Sequence, residues 1–136
     1  METLAVTQAH IAYELIDDND PQVVVIEFLS RDLGGPIQAQ ALRHQIESLI
    51  RPDLPRNYVI DFAHVQALGS TAFGALVSFV RKVGIVRVCN MHHTLRLGAS
   101  LIGLDNWVEF ADSRQSAIRA ARRSEIGATD YPDFIS

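Results

Sequence analysis

Ile11, Tyr13 and Leu15 alternate with Ala12 and Glu14, a period of two that predicts a half-buried strand. The stretch at 17–21 (DDNDP) is turn chemistry, and Val23 to Leu29 (VVVIEFL) is then almost continuously apolar and β-branched, as in a buried strand. The period changes after Gly34, Gly35 and Pro36. Leu42, Ile46, Leu49 and Ile50 fall at i, i+4, i+7 and i+8, the apolar stripe of a helix. Pro36 suits its first turn, where the missing N–H is not needed.

Strand character returns at Tyr58 to Phe62, after Pro52 and Pro55. Phe73, Leu76, Val77 and Val80 mark a second helix, with Gly84 as its stop. Ile85 to Cys89 predicts a strand, Leu95 to Ile102 a short helix ended by Gly103, and Trp107 to Phe110 a last strand. Asp112 or Ser113 can cap a final helix holding Ala117, Ile118 and Ala121. Phe28, Phe62, Phe110 and Trp107 all fall in strand patterns and are expected in the core.

The order is β-β-α-β-α-β-α-β-α. It predicts an α/β fold with a mixed, mainly parallel sheet of about five strands and four helices, the first two strands forming an antiparallel edge. Residues 1–123 read as one domain. Residues 124–136 lose periodicity and carry Gly127, Pro132 and three acidic side chains, so they read as a mobile tail.

The length of 136 residues fits that single domain, and 48% hydrophobic residues allow a packed core. Twelve Lys and Arg against sixteen Asp and Glu give a net charge of -4, which argues against direct nucleic-acid binding. Arg119, Arg122 and Arg123 do cluster, near a helix end where cations complement the dipole. One cysteine excludes an internal disulfide, and neither a signal peptide nor a membrane span is recognisable. A cytoplasmic domain without membrane contact is expected.

Catalytic chemistry finds little support. The segment Gly69 to Gly74 (GSTAFG) has two glycines but no following Lys, so it is no phosphate cradle. Cys89, His92 and His93, with His64 and Asp61 from another strand end, could approach a metal site only if three or four groups converged. The plainer reading is a packed cysteine and histidines at a helix start. No catalytic residue, metal site or cofactor is therefore assigned, although a small metal- or Cys/His-dependent enzyme is the outlying alternative.

The distinctive segment is Val59 to Val80, VIDFAHVQALGSTAFGALVSFV. It places Ser70 and Thr71 in the first turn of a helix at the carboxyl edge of the sheet. As a plain structural feature, a hydroxyl there caps free N–H groups. As a switch, phosphorylation would add negative charge that a helix N-terminus tolerates and a docked partner does not.

These residues resemble the anti-sigma-factor antagonist (anti-anti-sigma factor) branch of the STAS domain family. The family segment reads as an acidic or polar residue, two hydroxyls, Gly, an aliphatic residue and Gly; Ser70, Thr71, Phe73 and Gly74 match. Val86 to Asn90, Leu101 to Asp105 and Trp107 to Ser113 are similar to the elements that follow, so the resemblance spans about residues 10 to 122. Two positions depart from the pattern: Gly69 replaces the common Asp, and Ala72 the Gly after the acceptor.

The resemblance implies a non-catalytic protein-binding domain that sequesters an anti-sigma factor, itself a serine/threonine kinase of the histidine-kinase-like type in many cases. Thr71 is the implied phosphorylation site, with Ser70 beside it. The implied binding surface comprises Asp61, His64, Gln66, Gly69, Ser70, Thr71, Phe73, Gly74, Asn90 and His92. A weak homodimer is compatible with this reading, and an unphosphorylated STAS scaffold or sensor-complex subunit is the alternative.

Overall fold

The computed structural model describes residues 4–7, 10–17, 22–51, 53 and 56–130. Strands β1 (Leu4–Thr7), β2 (Ile11–Asp17) and β3 (Gln22–Phe28) open the chain as an antiparallel set. A two-residue strand β4 (Asp32–Leu33) precedes helix α1 (Pro36–Glu47). Then come β5 (Arg56–Asp61), the short β6 (Ala67–Leu68), α2 (Ser70–Val83), β7 (Val86–Cys89), α3 (His93–Leu101), β8 (Val108–Ala111) and α4 (Arg114–Asp130).

The main sheet runs β1-β2-β3-β5-β7-β8, with β3, β5, β7 and β8 mutually parallel. All five strands expected from the sequence are present, and β1 adds a sixth at the antiparallel edge. The four expected helices are present as well. Pro36 occupies the first turn of α1, and Gly84 closes α2 at φ +90°, a conformation that a residue with a Cβ rarely adopts.

Alternation along the parallel strands divides the interior into two layers. Val24, Ile26, Tyr58, Ile60, Val86 and Val88 face α1, α2 and α3, where Leu42, Ile46, Leu76, Phe79 and Leu95 meet them. Val23, Val25, Val59 and Cys89 face α4, whose Ala117 and Ala121 allow the helix close to the sheet. The Phe28 and Phe62 rings pack edge to face at 4.9 Å, and those of Tyr58 and Phe79 at 5.1 Å. Burying each such ring contributes roughly 1.5–3 kcal/mol.

Two sequence expectations change here. Trp107 is not a core residue: it precedes β8, is 47% exposed and carries the Arg81 guanidinium on its ring. Phe110 is only half-buried, beneath Arg96. The final helix runs to Asp130, past the expected domain limit at residue 123, while residues 131–136 of the expected tail lie outside the described residues. Ser113 does cap α4: its Oγ accepts from Ser116 N at 3.1 Å while Ser116 Oγ accepts from Ser113 N at 3.2 Å.

Candidate functional site

The carboxyl ends of β5 and β7 lie side by side, since Phe62 N donates to Cys89 O at 3.0 Å. The chain leaving β5 runs along the sheet edge to α2. It is laced to the loop before α1: Gln66 N and Ala67 N both donate to Arg31 O, at 2.7 and 3.1 Å, and Gly69 N donates to Leu33 O at 3.1 Å. β4 and β6 pair in parallel across this seam.

Gly69 is set by space. A Cβ on it would lie 2.5 Å from the backbone oxygen of Gly34, too close for any side chain unless one loop moves. The departure from the family's Asp thus follows from how tightly the two loops approach.

Ser70 and Thr71 open α2 and are exposed. The expectation that a hydroxyl caps the helix is corrected, because Gly69 occupies the N-cap position and no side chain caps it. Ser70 and Thr71 are already inside the helix, so their side chains sit past the point from which a cap reaches forward. Both hydroxyls are left unengaged among the described residues, and the first turn holds no acidic side chain. Ala72 faces the core and is fully buried.

Asp61 also differs from expectation. It is 4% exposed and cannot present a side chain to a partner. Its Oδ1 accepts from Ala63 N at 2.9 Å and Asn90 Nδ2 at 3.1 Å, and its Oδ2 from Arg114 Nε at 2.9 Å. Arg114 also lies 3.4 Å from Glu27 and 3.9 Å from Glu14. Partial burial works against the Arg114 charge, but Asp61 and then Glu27 outweigh it and raise its pKa above the ordinary arginine value. Asn90 holds φ +58°, which its short amide side chain tolerates, and so turns the chain from β7 toward α3.

The other expected contact residues surround this lock. His64 is exposed and places Nε2 2.8 Å from Glu27 Oε2. Gln66 is exposed on the same loop, and Gly74 lies on the outer face of α2 with open space above it. Phe73 is half-buried against Gly98, where an added Cβ would meet its ring at 3.4 Å. His92 is exposed and caps α3, its Nδ1 accepting from Thr94 N at 3.2 Å.

Cys89 is fully buried. Burial, reinforced by the Asp61 charge, pushes its thiol pKa up to about 12, so the thiolate is scarce near neutrality. Its Sγ lies 3.8 Å from Ile60 O inside the layer under α4. Among the described residues no group of three or more His, Cys, Asp or Glu could hold a metal ion.

The family model of the STAS domain matches residues 36–117, from the start of α1 into α4. The chain belongs to the STAS domain family.

Solved structures share this STAS fold. An anti-sigma-factor antagonist (STAS) domain protein from Planctomyces limnophilus is 17% identical, with 88% of this chain and 96% of that chain covered at a TM-score of 0.67. An anti-sigma factor antagonist from Mycobacterium paratuberculosis is 22% identical, covering 89% and 93% at 0.63. The Bacillus cell fate determinant SpoIIAA in its phosphorylated form is 17% identical, covering 87% and 97% at 0.56. No curated protein matches the sequence. No helix among the described residues of this STAS domain is long and apolar enough to cross a membrane.

The Arg114–Asp61–Asn90 lock of the STAS domain escaped the sequence reading. Its one signal was a charged residue, Asp61, ending an otherwise buried strand; nothing local pointed to Arg114 as its partner. Arg31 and Gly34, which support the Gly69 approach, had no signal beyond turn composition.

Proposed function

We propose that this STAS domain is a non-catalytic regulatory module that binds an anti-sigma factor through the rim formed by the 62–69 loop, the start of α2 and the Asn90–His92 turn. Thr71 is its phosphoacceptor, with Ser70 beside it. The observation that carries the reading is that both hydroxyls stand exposed, and free of capping bonds, at the start of a helix whose own donors tolerate added negative charge. Solved structures named as anti-sigma factor antagonists support it, among them SpoIIAA, which is solved in an unphosphorylated and a phosphorylated form.

In this reading a kinase-type partner transfers the γ-phosphoryl of ATP to Thr71 Oγ1. The hydroxyl proton leaves, ADP is released, and the dianion weakens the contact at the rim. His64, Gln66, Gly74 and His92 are the exposed contact residues. Asp61 holds the rim's shape instead of touching the partner, exposed Asn90 contributes to both, and the protein's place of action is the cytoplasm.

A scaffold role without covalent control is favoured by one observation. Gly69 has no room for the family's Asp, and the buried Ala72 stiffens the turn by up to about 1 kcal/mol over glycine. Incubation with a kinase-type anti-sigma factor and ATP, read by intact mass, separates the two. One added phosphate mapping to Thr71, with dissociation of the complex, supports the switch; a stable complex without a mass change supports the scaffold.

A further inference from the structure

Arg87 stands in β7 between Val86 and Val88, which face α1, α2 and α3, so its side chain takes the opposite face of the sheet with Cys89. It is 5% exposed. Its charge contact is with Glu109 on the neighbouring strand β8, whose Oε1 lies 3.2 Å from Nε and whose side chain is 58% exposed. Nε and Nη1 have no hydrogen-bond partner, and no other buried side chain among the described residues is left in that state. A guanidinium taken out of water on these terms works against the packing that buries it.

The helix over this face is α4. It runs back along β5: Arg114 bonds Asp61 at one end of the strand, and Asn57 Nδ2 donates to Ala121 O at 3.1 Å at the other. Val59 lies midway and pairs with Arg87, which places Arg87 beneath the stretch between those two contacts. Among the described side chains of α4, Ala117 and Ala121 are fully buried and Ile118 is half-buried. The helix α2 buries Leu76, Phe79 and Val80 in the other layer. Stabilisation scales with the apolar area covered, so alanines hold α4 less firmly than these residues hold α2. Water can replace both polar contacts once the helix lifts.

We propose that α4 is a displaceable cover, which leaves the sheet as a unit while the layer of α1, α2 and α3 stays folded, and that Arg87 favours this opening. Opening hydrates the Arg87 guanidinium, uncovers Val23, Val25, Val59 and Cys89, and parts Arg114 from Asp61. Asp61 also receives Ala63 N and Asn90 Nδ2, so the covered and uncovered states differ at the sheet edge as well. Sub-global openings of this kind draw on the least firmly held elements. The device goes beyond the anti-sigma reading and does not depend on it.

Cys89 is the one cysteine of the chain and is fully buried on the α4 face, so its labelling reads the opening. The full chain is labelled with dithionitrobenzoate in urea concentrations below the unfolding transition, and global stability is read from Trp107 emission and circular dichroism. Labelling is expected to run about a hundredfold or more faster than global unfolding allows. It is also expected to depend little on urea, as a small newly exposed area requires. Arg87→Met keeps an apolar stem without the charge and is expected to slow labelling about tenfold. Glu109→Gln takes the carboxylate from a buried cation and is expected to speed it about threefold.

Glu109 is exposed, so its substitution leaves the fold intact, which thermal unfolding verifies. Labelling with the free energy and urea dependence of global unfolding overturns the proposal, as does an Arg87→Met rate equal to or above the parent's. Should Arg87→Met not fold, Glu109→Gln carries the test, and an unchanged rate there overturns it. Amide exchange gives a readout independent of the thiol. Ala117 and Ala121 are expected to exchange through the opening that Cys89 reports, and Phe79 and Val80 through global unfolding; equal protection of the two pairs overturns the proposal.

Discussion

Arg114, the first residue of α4, donates a 2.9 Å hydrogen bond from Nε to Oδ2 of Asp61, at the end of β5 and 53 positions earlier. The other oxygen of that carboxylate accepts from Ala63 N and from Asn90 Nδ2. One buried side chain therefore joins the 62–69 loop, the β7–α3 turn and the helix on the opposite face of the sheet. Three segments far apart in sequence acquire a common reference point, and the proposed binding rim is built from two of them.

Removing Arg114 leaves the Asp61 charge buried with two donors where it had three. Arg114→Ala is expected to destabilise the fold by about 2 kcal/mol. Asp61→Asn, which removes the charge and retains an oxygen for Ala63 N, is expected to cost about half as much. Urea unfolding of the three proteins checks the order; an Arg114→Ala midpoint equal to the parent's would show that the ion pair contributes nothing.

Two glycines of the proposed rim should respond to alanine with opposite signs. At Gly69 the new Cβ meets Gly34 O at 2.5 Å, so Gly69→Ala is expected to lose about 1–3 kcal/mol through backbone displacement. At Gly74, on the exposed side of α2, nothing lies within 4 Å, so Gly74→Ala is expected to gain up to about 1 kcal/mol from helix propensity. Paired thermal melts decide it, and a destabilised Gly74→Ala would mean that its surroundings are not open.

Because neither Ser70 nor Thr71 caps α2, their hydroxyls are dispensable for folding. Ser70→Ala and Thr71→Ala are each expected to change stability by less than about 0.5 kcal/mol. A capping hydroxyl would cost roughly 0.5–2 kcal/mol on removal. A loss in that upper range, measured by chemical denaturation, would restore the cap and weaken the case for an acceptor.

The Cys89 thiol gives a pH dependence of definite sign. Its pKa rises from the ordinary 9.0 to about 12 in the fold. Between those values the unfolded chain has released the proton and the folded chain still holds it, so this group's stabilising contribution is full below pH 9 and declines as the pH climbs toward 12. Cys89→Ala should flatten that alkaline decline relative to the parent. Native Cys89 should also react with thiol reagents at pH 8 far more slowly than unfolded chain; equal rates would contradict its burial.

Much of the architecture was legible because burial wrote a period into the chain. The β-branched run at Val23 to Val25, the alternation at Ile11 to Leu15 and the stripe through Leu76 and Val80 each correspond to an element in the expected place. Gly84 and Gly103, at φ +90° and +79°, close α2 and α3 where the pattern stops.

The candidate site was legible only in outline. Ser70 and Thr71 were located, but whether they cap depended on Gly69, whose place is set by the backbone of Gly34. Asp61 looked like a surface residue because a strand end gives no sign that Arg114 covers it from another element. Trp107 fell in a strand pattern yet lies before β8, since the chain leaves α3 through a short 3-10 turn at Leu104–Asn106 that the alternation does not register.

The two-residue ladder between β4 and β6 has a consequence for how this chain can vary. Arg31 O accepts from Gln66 N and Ala67 N, Leu33 O accepts from Gly69 N, and Asp32 and Leu33 pair with Ala67 and Leu68, so the spacing along one loop is copied onto the other. A substitution at an exposed position such as Arg31 or Gln66 leaves that spacing untouched. Inserting or deleting one residue in either loop shifts every pairing by a step and rotates the start of α2 away from its place. Along this seam the number of residues is under stricter constraint than their identity.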